Sequence, residues 1–334
     1  MLARELQTPR ERTLFAVAAV FSSIVWLAIL ISIAGLVFAL ILALFALFAH
    51  RRFMAHIIGN GVRVGPRQLP DLMRRIEGAA HKLGMDRVPE TYVLQAGGLR
   101  SAFATKIFSR RFIIIYSDLL EAGDNDGAPD KPNELDFTIG HEMGHLAAGH
   151  LATRLFLLPA RIMPWLGPAY SRACEYTCDR CGHAVTGDLA VSSRALAILA
   201  AGPRAARRMD LDAYVDQRRD TGRFWMAVYE LNASRPFLSK RVAALRAWQG
   251  QGTLERVARN PLSYPLAPLF GFASGGPQSA ILILVVVAGI AAALAVPRIK
   301  QLGAGLGGPS HGFRFDPNDR SLDPLPPLPG DRAP

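Results

Sequence analysis

Between Leu14 and Ala49 the chain carries no charged side chain, and this unbroken apolar run dominates its pattern of hydrophobic and polar positions. As one straight helix these roughly 36 residues would extend about 54 Å, far beyond a hydrocarbon core of about 30 Å. Divided near Ser32–Gly35, the run gives two segments close to spanning length. Arg10 and Arg12 precede it, and Arg51 and Arg52 follow it. Positive charge is retained on the cytoplasmic side, so two positive ends predict a tight helical hairpin with both ends inside. A cleaved signal peptide would be shorter, and no clear small-residue cleavage site follows the run.

From Phe53 to about Asn260 the periodicities become those of a globular domain. Leu69, Leu72, Met73, Ile76 and Leu83 recur at helical spacing after Pro66. Thr91–Leu94 and Phe112–Tyr116 read as strands, with Ser101–Ile107 between them, and together they predict a small sheet. Gly123–Pro132 is a polar, turn-rich surface loop whose acids lack the spacing of a calcium loop. Asn133 offers an N-cap for a helix through His141 to roughly Leu155. Further helical patterns fill Tyr170–Val185, Leu189–Ala201 and Phe237–Trp248. A second apolar run, Ala280–Ala295, closed by Pro297, Arg298 and Lys300, is just long enough to span a membrane. The Gly- and Pro-rich stretch Gly303–Pro334 predicts disorder. The expected fold class is α+β, mainly helical with a small β-sheet. Residues 1–52 form an N-terminal membrane hairpin, 53–260 the globular domain, 261–300 a C-terminal membrane segment and 301–334 a tail.

A net charge of +11 raises the question of a nucleic-acid partner. The basic residues are mostly arginine and are scattered, however, with no basic stripe interleaved with aromatics, which argues against one. The charge fits a cytoplasmic, membrane-facing surface drawn to anionic lipid. The three cysteines, Cys174, Cys178 and Cys181, fall in one short segment, a poor disulfide framework that favours a reducing compartment. Cys181 lies off the helical face shared by Cys174 and Cys178, and no second CxxC pair exists. Small buried hydrophobes describe them better than thiolate ligands do.

The sharpest chemical signal is the word His141-Glu142-Met143-Gly144-His145. Side chains four apart on a helix share a face, so both imidazoles can reach one metal ion. Glu142, turned by about 100°, reaches the side where an attacking water would sit and can take its proton. The His and Glu content of the chain predicts only about 0.006 such words by chance. A catalytic zinc wants three protein ligands and an open fourth position. A third His ten residues after the first is excluded, because that position is Leu151. His150 falls one residue short and is read as packing beside the ligands rather than as one of them. Glu175, on a later predicted helix, can supply the third ligand, and Asp179 one turn on can accept the outer N–H of a ligating imidazole.

At these residues the chain resembles the HtpX-like and CAAX-prenyl-protease family of membrane zinc metallopeptidases. The specific words are GHEMGHLAAGH at Gly140–His150 and YSRACEYTCDRCG at Tyr170–Gly182. Ser101–Leu120 and Ser234–Trp248 match more weakly. The resemblance implies a gluzincin fold, with zinc on His141, His145 and Glu175 and with Glu142 as general base. It also implies an edge strand around Ala102, Phe103 and Ala104 that binds an extended peptide by strand addition. Three departures stand out. Ser101 replaces a usual Asn, Cys178 replaces a usual Ala, and Arg235 stands before Pro236 where the family tends to carry His. If that His stabilises the oxyanion, Arg235 can supply only the electrostatic part of the role, because it cannot lose its proton. Arg241 matches a recurrent basic position, structural or substrate-facing.

The resulting expectation is a zinc metalloendopeptidase in the cell's inner membrane, multi-pass, with its catalytic domain cytoplasmic. It would hydrolyse unfolded or membrane-associated polypeptides in envelope quality control. One zinc per chain, polypeptide substrates and a lipid membrane are the implied partners, and the oligomeric state is open. The alternatives are a catalytically weak zinc-binding membrane adaptor, motivated by Arg235, and a prenyl-peptide processing protease.

Overall fold

The apolar run divides at Ser32. In the computed structural model one helix covers Pro9–Ile31 and a second covers Ile33–Asn60, with Ser32 extended between them and its hydroxyl capping Gly35 N–H. Both are long and apolar enough to cross a membrane, by length and composition. The structure describes residues 2–95, 102–107, 110–117, 119–120, 132–251, 255 and 257–271. The expected span Ala280–Ala295, the tail 301–334, Ser101 and nearly all of the loop Gly123–Pro132 lie outside the described residues.

Neither apolar helix is a free tether. The second continues past Arg51 and Arg52, and its last turns join the domain, where Met54 and Ile57 pack with Tyr92, Phe112 and Ile114. The first buries Ala18 against Leu157, Ala160, Tyr170 and Cys174. Ser22 Oγ accepts the Ala160 N–H at 3.3 Å, and Trp26 Nε1 donates to the Phe156 carbonyl at 2.8 Å. Such bonds keep an otherwise apolar helix in one rotational setting.

Four strands form a mixed sheet in the order β1 (Val62–Arg63), β2 (Glu90–Leu94), β4 (Arg110–Tyr116), β3 (Ala102–Ile107). β2 and β4 run parallel, and β3 lies at one edge, antiparallel to β4 with Ala104 opposite Ile113. Alternation along β4 sends Ile113 and Ile115 into one core and Phe112 and Ile114 into another, so both faces of this central strand are covered. The helix expected after Pro66 begins at Pro70 instead. Leu69 takes a left-handed conformation, and Pro70 starts the first turn, where its missing N–H is not needed.

The helix Glu134–Ala147 carries the His-Glu-His word and is started by a full capping box, with Asn133 and Asp136 satisfying each other's backbone N–H groups. It ends at Ala147 rather than near Leu155. Gly149, at a φ of 81°, turns the chain off the helix axis, and His150 falls on the far side of that turn. The helix Leu166–Thr186, bearing Glu175 and Asp179, lies against it at very close range. A Cβ on Gly140 would come within 2.7 Å of Val185 Cγ2, and one on Gly144 within 2.9 Å of Cys181 Cβ. Glycine on one helix facing small cysteines and Gly182 on the other is what lets the two backbones approach. The helices Leu189–Ala206 and Leu238–Trp248 close the far side through Phe137, Leu196, Val242 and Leu245. Ser263–Gly271 docks on Phe224–Asn232, where Asn232 Nδ2 donates to the Ala267 carbonyl at 2.8 Å.

Candidate metal centre

One helical turn separates His141 from His145, and both rings are turned toward the helix Leu166–Thr186. His141 Nε2 lies 3.6 Å from Glu175 Oε2, and His145 Nε2 lies 3.6 Å from Glu175 Oε1. Glu175 is buried, and its Oε2 accepts no hydrogen bond among the described residues. Arg241 Nη1 stands 3.1 Å from that oxygen and supplies charge, but not in hydrogen-bonding geometry. A buried carboxylate whose two oxygens each face an imidazole nitrogen, one of them with no hydrogen-bond donor, is costly unless a further cation completes the set. Two imidazoles and one carboxylate are the donor set of a catalytic zinc with one position open, so these residues fit that ion.

The outer nitrogens of both rings are engaged. His141 Nδ1 is 3.1 Å from Asp179 Oδ1, and Arg241 clamps the same carboxylate through Nε to Oδ2 at 2.9 Å and Nη2 to Oδ1 at 2.6 Å. His145 Nδ1 is 3.0 Å from His150 Nδ1. Burial alone would raise the Glu175 and Asp179 carboxyls. The Arg241 guanidinium and the nearby imidazoles outweigh it and hold both below the ordinary carboxylate range. Glu142 goes the other way. Burial pushes it up to about 7, with Glu175 adding to the rise and His141, Arg235 and the Ala104 N–H opposing it. Three carboxylates in one site thus differ in proton affinity according to which of them Arg241 touches.

Residues 66–166 match the model of peptidase family M48. M48 peptidases are zinc metallopeptidases, and the match bears out the resemblance to the HtpX-like members. It spans β2, β3, β4 and the His141–His145 helix and stops at the start of the helix that carries Glu175. A search of curated proteins and a search of solved structures each return no match.

The M48 reading leaves a choice of third ligand. One atom each of His141, His145 and Cys178 also lie within 4.8 Å of one another. Burial lifts the Cys178 thiol well above its ordinary value, whereas Glu175 is already ionised. The imidazole nitrogens left over from Asp179 and His150 are the two Nε2 atoms, and those face the oxygens of Glu175. All three cysteines are free and buried.

The remaining residues singled out in the sequence are placed as follows. Ala102 is buried in the core shared by Met143 and Leu146 of the motif helix, and Phe103, on the opposite face of β3, packs its ring 5.7 Å from Phe53 and 5.9 Å from Tyr116. Ala104 meets the site only through its backbone, which donates to Glu142. Arg235 is 64 % exposed, with Nε 3.8 Å from Glu175 Oε1, at the open side. Arg241 is 4 % exposed and occupied by Asp179 and Glu175, which puts it behind the ligands rather than in reach of substrate. Sequence reasoning missed Glu11, which reaches His150 Nε2 at 2.9 Å. In the sequence it stands between Arg10 and Arg12 beside the apolar run, with nothing local to set it apart. A cavity of about 420 Å³ lined by Arg10, Trp165, Arg172, Arg259 and Tyr264 shares no residue with the metal centre.

Proposed function

We propose that the chain is a membrane-anchored zinc metalloendopeptidase that cuts unfolded or membrane-associated polypeptides. The convergence of two imidazole Nε2 atoms on the two oxygens of Glu175 carries this reading, with Glu142 buried beside them. His141, His145 and Glu175 would hold the ion. Zinc bound there supplies a Lewis acid for the peptide carbonyl and lowers the pKa of water. Glu142 takes the proton of the attacking water on its carboxylate and passes it to the leaving amine. Burial raises Glu142 in the metal-free site, and the charge of a bound zinc would oppose that rise and favour the carboxylate that accepts the proton.

β3 is an edge strand and borders the site through Ala104, so an extended substrate can add to it through backbone bonds that ignore sequence. Because the side chains of Ala102 and Phe103 are packed away, the strand offers the peptide its main chain. Arg235, exposed at the open side, is the donor available for negative charge developing on the carbonyl oxygen. The two apolar helices and the arginines at both ends of the run support a hairpin with the catalytic domain on the cytoplasmic side of the inner membrane. A reporter fused after Trp248 should then be cytoplasmic, and a periplasmic signal would reverse the topology.

The reading is tested by Glu142→Gln in the full chain. Zinc content should match that of wild type, while hydrolysis of a casein-like substrate falls by about 10²–10⁴-fold. Undiminished cleavage would remove Glu142 from the mechanism. A second reading, a zinc-binding membrane adaptor with weak hydrolysis, draws on Arg235. Wild-type protein that binds zinc but cleaves nothing, with cleavage appearing in Arg235→His, would establish it.

A further inference from the structure

The hydrogen bonds of the metal centre continue out of the globular domain and into the first apolar helix. Glu11 stands in the first turn of Pro9–Ile31 and is only 2 % exposed. A carboxylate there is ordinarily a solvated charge favoured by the helix dipole. Here both oxygens are taken. Oε1 accepts His150 Nε2 at 2.9 Å and Gln7 Nε2 at 3.1 Å, and Oε2 accepts the Thr177 hydroxyl. Thr177 lies on the helix of Glu175 and Asp179, and its Oγ1 accepts the Thr8 backbone N–H at 3.1 Å. On its other side His150 meets the ring of His145, Nδ1 to Nδ1, at 3.0 Å.

The direction of donation follows from the end of this chain of bonds. A carboxylate only accepts, so His150 Nε2 carries the proton that bridges to Glu11. In a neutral His150 the Nδ1 is then bare; Cys178 Sγ stands 3.7 Å from it, but two bare nitrogens at 3.0 Å would repel, so His145 carries its proton on Nδ1. That leaves His145 Nε2 bare, and this is the nitrogen facing Glu175. An imidazole can ligate only through a bare nitrogen, and the bond made by the other nitrogen decides which one that is.

We propose that Glu11 is a positioning residue of the metal centre: acting through His150, it holds His145 in the tautomer that ligates. The first apolar helix is then a working part of the site as well as an anchor. This rests on the zinc reading above. Glu11, His150 and Cys174 also place one atom each within 4.8 Å of one another, the spacing of a second metal site. Glu11 has donors on both oxygens, and the His150 nitrogen facing it carries a proton, so the arrangement is a relay of hydrogen bonds instead.

The test is zinc affinity of the full chain in detergent, measured by competition with a chromophoric chelator, together with zinc stoichiometry. Glu11→Ala should weaken zinc binding by about 10-fold. Glu11→Gln, which keeps an acceptor oxygen for His150, should weaken it less. In a His150→Ala background the same Glu11 substitutions should have no further effect, because the path to His145 is already cut. Equal effects of Glu11→Gln in both backgrounds would show that Glu11 acts only by packing and would overturn the proposal, and this comparison stands even if Glu11→Ala fails to fold. Two zinc ions per wild-type chain, falling to one in Glu11→Gln, would overturn it in favour of direct ligation. Unchanged affinity in the Glu11 variants of a zinc-binding protein refutes the positioning role alone, whereas a wild-type chain that takes up no zinc refutes the metallopeptidase reading itself.

Discussion

The two imidazoles of the metal centre are braced from opposite sides by different means. Behind His141 stands Asp179, one turn along the helix that brings Glu175, and Arg241 clamps both acids at once. That side is rich in charge and self-contained within neighbouring helices of the domain. Behind His145 stand His150, just past a glycine turn, and Glu11, from the apolar helix at the other end of the fold. Glu11 is held there by His150, Gln7 and Thr177, and the brace needs the first apolar helix to be docked. The contrast teaches that one half of the site is secured by local packing, while the other depends on how the first apolar helix sits against the domain.

Arg241→Leu should produce the largest effect, because it strands two buried carboxylates. The metal-free protein should lose about 3–5 kcal/mol of stability in a detergent melt, against a much smaller loss for His150→Ala. The pH dependence should change sign as well. Glu175 and Asp179 are held below ordinary values of 4.5 and 3.8, so in wild type their contribution is present above those values and is lost as pH falls through the depressed ones. Without Arg241, burial raises both carboxyls, and acidification should stabilise the variant. A wild-type melting point that rises on acidification would break this half of the comparison.

Smaller effects separate the two braces. Asp179→Asn should weaken zinc by about 10–100-fold, at or above the effect of removing Glu11, because Asp179 touches its imidazole directly and Glu11 acts through an intermediary. A larger loss from Glu11→Ala than from Asp179→Asn would invert the ranking. Cys178→Ala should have the least effect of all, leaving zinc affinity near that of wild type, as the chelator competition would show.

How much of this could be read along the chain follows the same division. The break of the apolar run at Ser32, the Asn133 cap and the three main strands are local patterns, set by side chains a few positions apart, and they are where the sequence predicts them. The spacing of Glu175 and Asp179 is of this kind too, and the structure brings both to His141. The end of the motif helix was misjudged because apolar spacing continues past Gly149, whose positive φ is decided by the turn that presents His150. Glu11 was illegible for a different reason. In the sequence it is one of several charges beside an apolar run, and only its long-range partners His150 and Thr177 distinguish it from them. Arg241 was ambiguous because a basic residue on a helix reads alike whether it faces solvent or two buried acids.

The central claim, that His141, His145 and Glu175 hold one zinc ion without thiolate help, is tested most directly by X-ray absorption at the zinc edge on the zinc-loaded full chain. The account predicts a coordination shell of nitrogen and oxygen only, at about 2.0–2.2 Å, with the outer-ring scattering of two imidazoles. A sulfur scatterer at about 2.3 Å, retained in Glu175→Ala and lost in Cys178→Ala, would contradict it.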